Sequence, residues 1–163
     1  LLVYQTDGTT GFYYYDGSSW TQVGGSASSG PTLAFTNASG PIVTFPPLLT
    51  EITVASVTQS VTAGNNLKID GSLNLDFTTT ANWSFTYQIR LYRDGTLIMS
   101  ESYNRSGSNA GTQTMPSNFT YVYTAPATSA ASTYSVRSIV TAATNITSAS
   151  TGSNINLNII TFQ

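Results

Sequence analysis

The sequence predicts an all-β chain, an antiparallel jelly-roll or β-sandwich head preceded by a small β-meander neck. Three observations carry that prediction. Apolar and polar residues alternate with a period of two over several segments, helix-spaced apolar repeats are almost absent, and Gly, Asn and Pro signals separate the alternating runs.

Residues 1–24 read as three short strands, LLVYQT, GFYYYD and SWTQV. Asp7-Gly8 and Gly17 stand at the turns, because Asp and Gly tolerate positive φ. The alternate aromatics Tyr4, Phe12, Tyr14 and Trp20 are expected to be buried, and a unit of this size cannot bury them well alone. Three copies around one axis would. Residues 25–49 are rich in Gly, Ser and Pro around the weak apolar patches LAF and IVTF, and read as a linker.

The head is expected over 50–163. In IDGSLNLDF the apolar Ile69, Leu73, Leu75 and Phe77 alternate with Asp70, Ser72, Asn74 and Asp76, the pattern of a half-buried strand. Trp83, Phe85, Tyr87, Ile89 and Leu91 then alternate with Ser84, Thr86, Gln88 and Arg90. Asp94-Gly95 turns that strand into TLIMSESY, as a hairpin. Further strands are expected at FTYVYT, TYSVRSIVTA and NINLNIITF, making roughly seven or eight short strands in all. Phe85, Tyr87, Phe119, Tyr121 and Tyr123 alternate with polar residues, so most of them are expected in the core. The stretch from Asn104 to Asn118, NRSGSNAGTQTMPSN, reads as the longest polar loop of the head.

Composition narrows the function. Only 7% of residues are charged, against about 25% in an ordinary soluble domain, so Ser, Thr, Asn and Gly must solvate the surface. The net charge is −2 and the five Lys and Arg are scattered. Nucleic acid is thereby excluded as a partner, because phosphate binding needs a clustered basic surface. There is no Cys and no His, which removes Ser-His-Asp and Cys-His catalysis, thiolate zinc sites and His-based zinc sites. No calcium-loop pattern is present, so neither a metal nor a cofactor is expected. No run of about 18 apolar residues occurs, so membrane insertion is not expected. The opening at Leu1 rather than Met fits a piece of a longer protein.

A glycosidase would need two carboxyl groups about 5–9.5 Å apart. Asp70 and Asp76 share a strand face six residues apart, which at about 3.3 Å per residue separates them by roughly 20 Å. The chain is therefore expected not to be an enzyme. Arg90 and Arg137, mid-strand, are expected to pair with Asp76, Glu51 or Glu101. Five Asn-x-Ser/Thr sequons begin at Asn37, Asn82, Asn104, Asn118 and Asn145, as readily happens in so Asn- and Thr-rich a chain.

The opening VYQTDGTTGFYYYDGSSW resembles a short module recurring in tail-fibre-like proteins and surface adhesins of phages and bacteria. The resemblance rests on Val3, Tyr4, Asp7, Gly8, Gly11, Phe12, Tyr13, Tyr14, Tyr15, Asp16, Gly17 and Trp20. The remainder, with YQIRLYRDGTLI, FTYVYT, ASTYSVRSIVTAA and the terminal LNIITF, resembles the trimeric jelly-roll heads of the tumour-necrosis-factor and complement type used at fibre tips. These resemblances imply a homotrimer displayed extracellularly at the tip of a surface fibre on a phage particle or a bacterium, including the mosaic adhesive fibres of predatory bacteria. In such heads the last strand lies near the threefold axis, so Leu157 and Ile159 join Tyr4, Phe12, Tyr14 and Trp20 as expected trimer-interface residues.

The expected partner beyond the chain itself is a cell-surface glycan or other envelope component of a target cell. Sugar rings stack on aromatic faces and exchange hydrogen bonds with amides and hydroxyls. Candidate contacts are Trp83 at the start of its strand, Tyr92 on a polar strand side, and Asn104, Arg105, Asn109 and Gln113 in the 104–118 segment. Two rival readings stand beside this one: a structural module that only caps and registers a trimer, and a polysaccharide-degrading spike.

Overall fold

A computed structural model describes residues 1–24, 30–38, 43–44 and 49–162. The chain forms two compact units, residues 1–30 and 31–162. In the first, β1 (Leu2–Gln5), β2 (Gly11–Tyr15) and β3 (Trp20–Gln22) make an antiparallel meander. The expected turns are present, with Gly8 at φ 96° and Gly17 at φ 110°. Asp16 caps the second turn by accepting from the Ser18 and Ser19 amides, both at 2.8 Å, and these bonds pull its carboxyl down to about 2.

The register of this meander sorts its aromatics. Leu2 lies opposite Tyr14 and Tyr4 opposite Phe12, on one face, while Trp20 lies opposite Tyr15 on the other. Trp20 is therefore not a member of the Tyr4, Phe12, Tyr14 row, because it pairs with an odd-numbered tyrosine and one residue of register reverses the face. Within the chain none of them is buried: Tyr4 is 56% exposed, Phe12 53%, Tyr14 44% and Trp20 48%. A three-stranded sheet of this size builds no core of its own.

The second unit contains β4 (Thr32–Ala38), β5 (Val43–Thr44), β6 (Ile52–Val61), β7 (Asn66–Arg93), β8 (Thr96–Gly107), β9 (Gly111–Thr124) and β10 (Ser129–Phe162). The linker expected over 25–49 thus supplies two strands, and the head begins at Pro31 rather than at residue 50. Residues 25–29, 39–42 and 45–48 of that expected linker lie outside the described residues. β4 escapes the period-2 reading because it is inverted: Leu33 and Phe35, which the pattern would bury, are 60% and 59% exposed.

Two very long strands organise the head. β7 runs for 28 residues and β10 for 34, paired antiparallel along almost their whole lengths. Both bend at one corner, where Asn82 and Asn145 each adopt φ 56°. Asn tolerates this left-handed backbone, and Asn145 Nδ2 locks the corner by donating to the Ala81 and Asn82 carbonyls at 2.9 and 3.0 Å. The first half of β7 pairs with β9 and its second half with β8, while the first half of β10 pairs with β6 and its second half with β4. Counting halves, one layer runs β4, β10, β7 and β9, with the short β5 also paired to β10, and the other runs β6, β10, β7 and β8. This is an all-β jelly roll.

The alternating apolar residues of both layers meet in a single core. Leu67, Ile69, Leu75, Tyr87, Ile89, Leu91 and Tyr134 are fully buried. Contacts cross between the layers, among them Phe77 stacked on Phe85 at 5.0 Å and the Tyr87 hydroxyl bonded to Ser117 Oγ. Leu157 and Ile159 belong to this core at 0% exposure, a correction to their expected place at a trimer interface. The terminal strand turns them inward and presents Asn156, Asn158, Ile160 and Phe162 outward, as the two-residue period requires.

A Cβ at Gly71 would press into the ring of its cross-strand neighbour Phe119, itself 5% exposed. Gly71→Ala is expected to lower the unfolding free energy by about 1–2 kcal/mol through overpacking. A denaturant titration checks this, and an unchanged midpoint would show that Phe119 yields freely. Among the described residues, no helix is long and apolar enough to cross a membrane.

Candidate functional site

The 104–118 segment is not a loop. Residues 104–107 complete β8, three residues turn, and β9 starts at Gly111. Its inward positions include Gln113 and Ser117 beside Met115 and Phe119, so the polar residues hid the strand period. Pro116 is accommodated because β9 is an edge strand and need not donate on its open side.

Two adjoining grooves form where β8 and β9 diverge into different layers. The larger, about 460 Å³, is lined by Ser84, Phe85 and Thr86 of β7 and Asn104, Arg105 and Ser106 of β8. The smaller, about 170 Å³, is lined by Phe77, Trp83, Gln113, Thr114, Met115 and Pro116, and again by Arg105. Four of the expected contact residues, Trp83, Asn104, Arg105 and Gln113, therefore come together.

Trp83, Asn104 and Arg105 are held by their neighbours. Trp83 is only 8% exposed, its indole edge-on to Phe77 at 5.2 Å and its Nε1 donating to the Asn109 carbonyl at 3.0 Å. Gly107 stands opposite it, and a Cβ there would come within 2.8 Å of the ring. Trp83 is thus a groove wall rather than an open stacking face. Asn109 acts through its backbone, also accepting from Thr79 Oγ1 at 3.4 Å. Asn104 Oδ1 accepts from Thr86 Oγ1 at 2.8 Å, which turns its amide NH₂ toward solvent. Arg105 Nε donates to Met115 Sδ at 3.2 Å, bridging the two layers.

Tyr92 lies elsewhere. It is half-buried, its hydroxyl donating to Glu51 Oε1 at 2.8 Å and its ring under the Arg137 guanidinium at 4.1 Å. Of the three acids offered to Arg90 and Arg137, Glu51 takes both, at 3.0 and 3.1 Å. The carboxylates nearest the grooves are engaged as acceptors, Asp76 by Thr114 Oγ1 at 2.6 Å and Glu101 by the Tyr103 hydroxyl at 2.6 Å. Burial, then that bond to Glu101, push the Tyr103 phenol well above its ordinary value. Sequence reasoning missed Ser84, Thr86 and Ser106, whose outward alternation on two paired strands was the available signal.

Fold and grooves together define an all-β jelly-roll domain with a shallow, uncharged polar surface site beside one arginine. No protein-family model matches the chain, and no curated protein matches it. Among solved structures it is similar to the VP2 subviral particle of infectious bursal disease virus, at 15% identity and TM-score 0.50 over 96% of this chain. The Gx strain of that virus matches at 17% identity and TM-score 0.49 over 92% of this chain and 38% of its own. A family 35 carbohydrate binding module from Clostridium thermocellum matches at 12% identity and TM-score 0.30, over 80% of this chain and 98% of its own. The chain spans about 40% of the VP2 chain. The VP2 likeness shows the jelly-roll fold.

Proposed function

We propose that this chain is the tip of a homotrimeric surface fibre, displayed extracellularly on a phage particle or a bacterium, that binds a cell-surface glycan without catalysing a reaction on it. The observation that carries the reading is the makeup of the larger groove. Ser84, Thr86, Asn104 and Ser106 offer hydroxyls and an amide in one row pair of β7 and β8, a set of neutral donors and acceptors that matches sugar hydroxyls. A shallow site of this kind binds weakly, and three on one rigid body gain avidity through effective concentration. A glycan array probed with the intact protein is expected to show binding to surface polysaccharides. Absence of any binding would overturn the reading in favour of a structural capping module.

The exposed face of Leu2, Tyr4, Phe12 and Tyr14 supports the oligomer, since burying it between copies removes large apolar area from water. Light scattering is expected to give three times the chain mass. The double variant Phe12→Ser, Tyr14→Ser is expected to dissociate at micromolar concentration, and a wild-type chain that is a stable monomer would exclude the trimer.

A further inference from the structure

A cavity of about 210 Å³ lies at the hairpin end of the head, lined by Arg93, Asp94, Thr96, Ile98, Tyr123 and Pro126. Its walls come from the facing inner surfaces of the two layers. Thr96 is the cross-strand partner of the buried Arg93 on the β7–β8 side, and Tyr123 stands opposite the buried Leu67 on the β7–β9 side. At about 3.3 Å per residue, positions 96 and 105 of β8 are roughly 30 Å apart, so this cavity is separate from the two grooves.

Arg93 is 8% exposed and held from several sides. Its Nε and Nη2 donate to Ser132 Oγ at 3.3 and 3.0 Å, Nη2 also to the Ala127 carbonyl at 3.2 Å, and Nη1 to the Tyr123 hydroxyl at 3.4 Å. Nη1 carries a second hydrogen, which has no acceptor among the described residues. Asp94 is fixed by Thr133, with its amide donating to the Thr133 carbonyl and its Oδ1 accepting from the Thr133 amide, both at 2.8 Å. Among the described residues its Oδ2 has only the 3.5 Å contact with Arg93 Nε, and the Thr96 hydroxyl has no partner. The cavity thus holds a fixed acceptor, a fixed donor and a hydroxyl, beside the apolar Ile98, Tyr123 and Pro126.

The adjacent charges of Arg93 and Asp94 offset each other, so Asp94 disfavours an anion and Arg93 a cation. What suits such a pair is a neutral group that donates to one member and accepts from the other, as neighbouring hydroxyls do. The volume equals roughly seven waters, the scale of one sugar ring, and the apolar side chains suit the C–H face of that ring. We infer that this cavity is a second saccharide site, which takes one neutral pyranose unit by two neighbouring hydroxyls, one donating to Asp94 Oδ2 and the other accepting from Arg93 Nη1, with Thr96 as a further partner. The inference rests on the glycan-binding reading above and adds to it a separate site and its ligand class.

The experiment titrates the intact protein with the methyl glycosides of glucose, galactose, mannose and fucose, with their monodeoxy analogues, and with glucuronate and glucosamine as charged comparators. The Thr133 amide resonance reports on the site, because that N–H is bonded to Asp94. At least one neutral glycoside is expected to shift it saturably, and removing one of two neighbouring hydroxyls should weaken that binding about tenfold. Asp94→Asn keeps an acceptor for Thr133 and suits the left-handed backbone at φ 48°, so the variant is expected to fold while binding about tenfold more weakly. Thr96→Val, at an exposed position, should weaken binding about fivefold. A Thr133 resonance that no neutral glycoside moves, affinity that survives Asp94→Asn, or tighter binding of glucuronate or glucosamine would overturn the assignment. If glycans bind the protein without disturbing Thr133, only this inference fails; if no saccharide binds at all, the proposed function fails with it.

Discussion

Replacing Leu157 by Ala is expected to lower the unfolding free energy by about 3–5 kcal/mol, toward the upper end of the range for a buried leucine. Leu157 is fully buried, and its cross-strand neighbour on β7 is Gly71. A glycine has no side chain to move into the void, and on its far side Phe119 already covers Gly71. The site therefore collapses poorly, and most of the cavity cost persists. Denaturant titration measures the loss, and light scattering below the transition should show an unchanged association state. A variant that stays folded with a wild-type midpoint but falls apart into single chains would place Leu157 at a subunit boundary and overturn its position in the core.

The second large effect is expected at Glu51. One carboxylate joins three strands of the second layer: it stands just before β6, accepts from Arg90 and Tyr92 of β7, and accepts from Arg137 of β10. Arg137 and Arg90 lie directly opposite each other in the register, so without the carboxylate two like charges face across the strands. Glu51→Gln is expected to cost about 2 kcal/mol at neutral pH, the scale of charge-assisted bonds lost with their donors left half-buried. Arg137→Gln added to it should recover part of that loss.

Acid provides an independent check. Burial raises the Glu51 carboxyl, but hydrogen bonds from Tyr92, Arg137 and Arg90 outweigh burial and hold it below its ordinary 4.5. A carboxyl lowered in the folded state binds its proton more readily when unfolded, so its stabilisation is fully present above about pH 4.5 and fades as pH falls through the folded value. The difference between wild type and Glu51→Gln should therefore shrink steadily below that pH. A difference that stayed constant into strong acid would mean that the carboxylate charge contributes nothing.

Much of the fold was legible because the core residues are apolar and periodic. Leu67 to Leu91 alternate almost without fault, Asp94-Gly95 makes its hairpin, and Gly8 and Gly17 turn the meander. Legibility failed where polar side chains point inward or apolar ones outward. Ser117 faces the core because the Tyr87 hydroxyl supplies its partner, which disguised β9 as a loop. Leu33 and Phe35 face out, which disguised β4 as part of a linker. The continuity of β7 and β10 was also hidden, since nothing local announces that Asn82 and Asn145 bend a strand rather than end it.

The candidate site divides in the same way. Residue types alone excluded His- and Cys-dependent chemistry and pointed to Trp83, Asn104, Arg105 and Gln113 as possible contacts. By itself, then, the sequence determined the all-β class, the neutral polar surface and the face of each well-alternating strand, because these depend on chemistry repeated at a fixed local period. Only the tertiary structure decided which strands share a layer, that Trp83 is a wall, that Leu157 and Ile159 face inward, and that Arg90 and Arg137 share the one carboxylate of Glu51. Those facts depend on which distant segments meet, and a sequence records the valence of each side chain but not the neighbour that satisfies it.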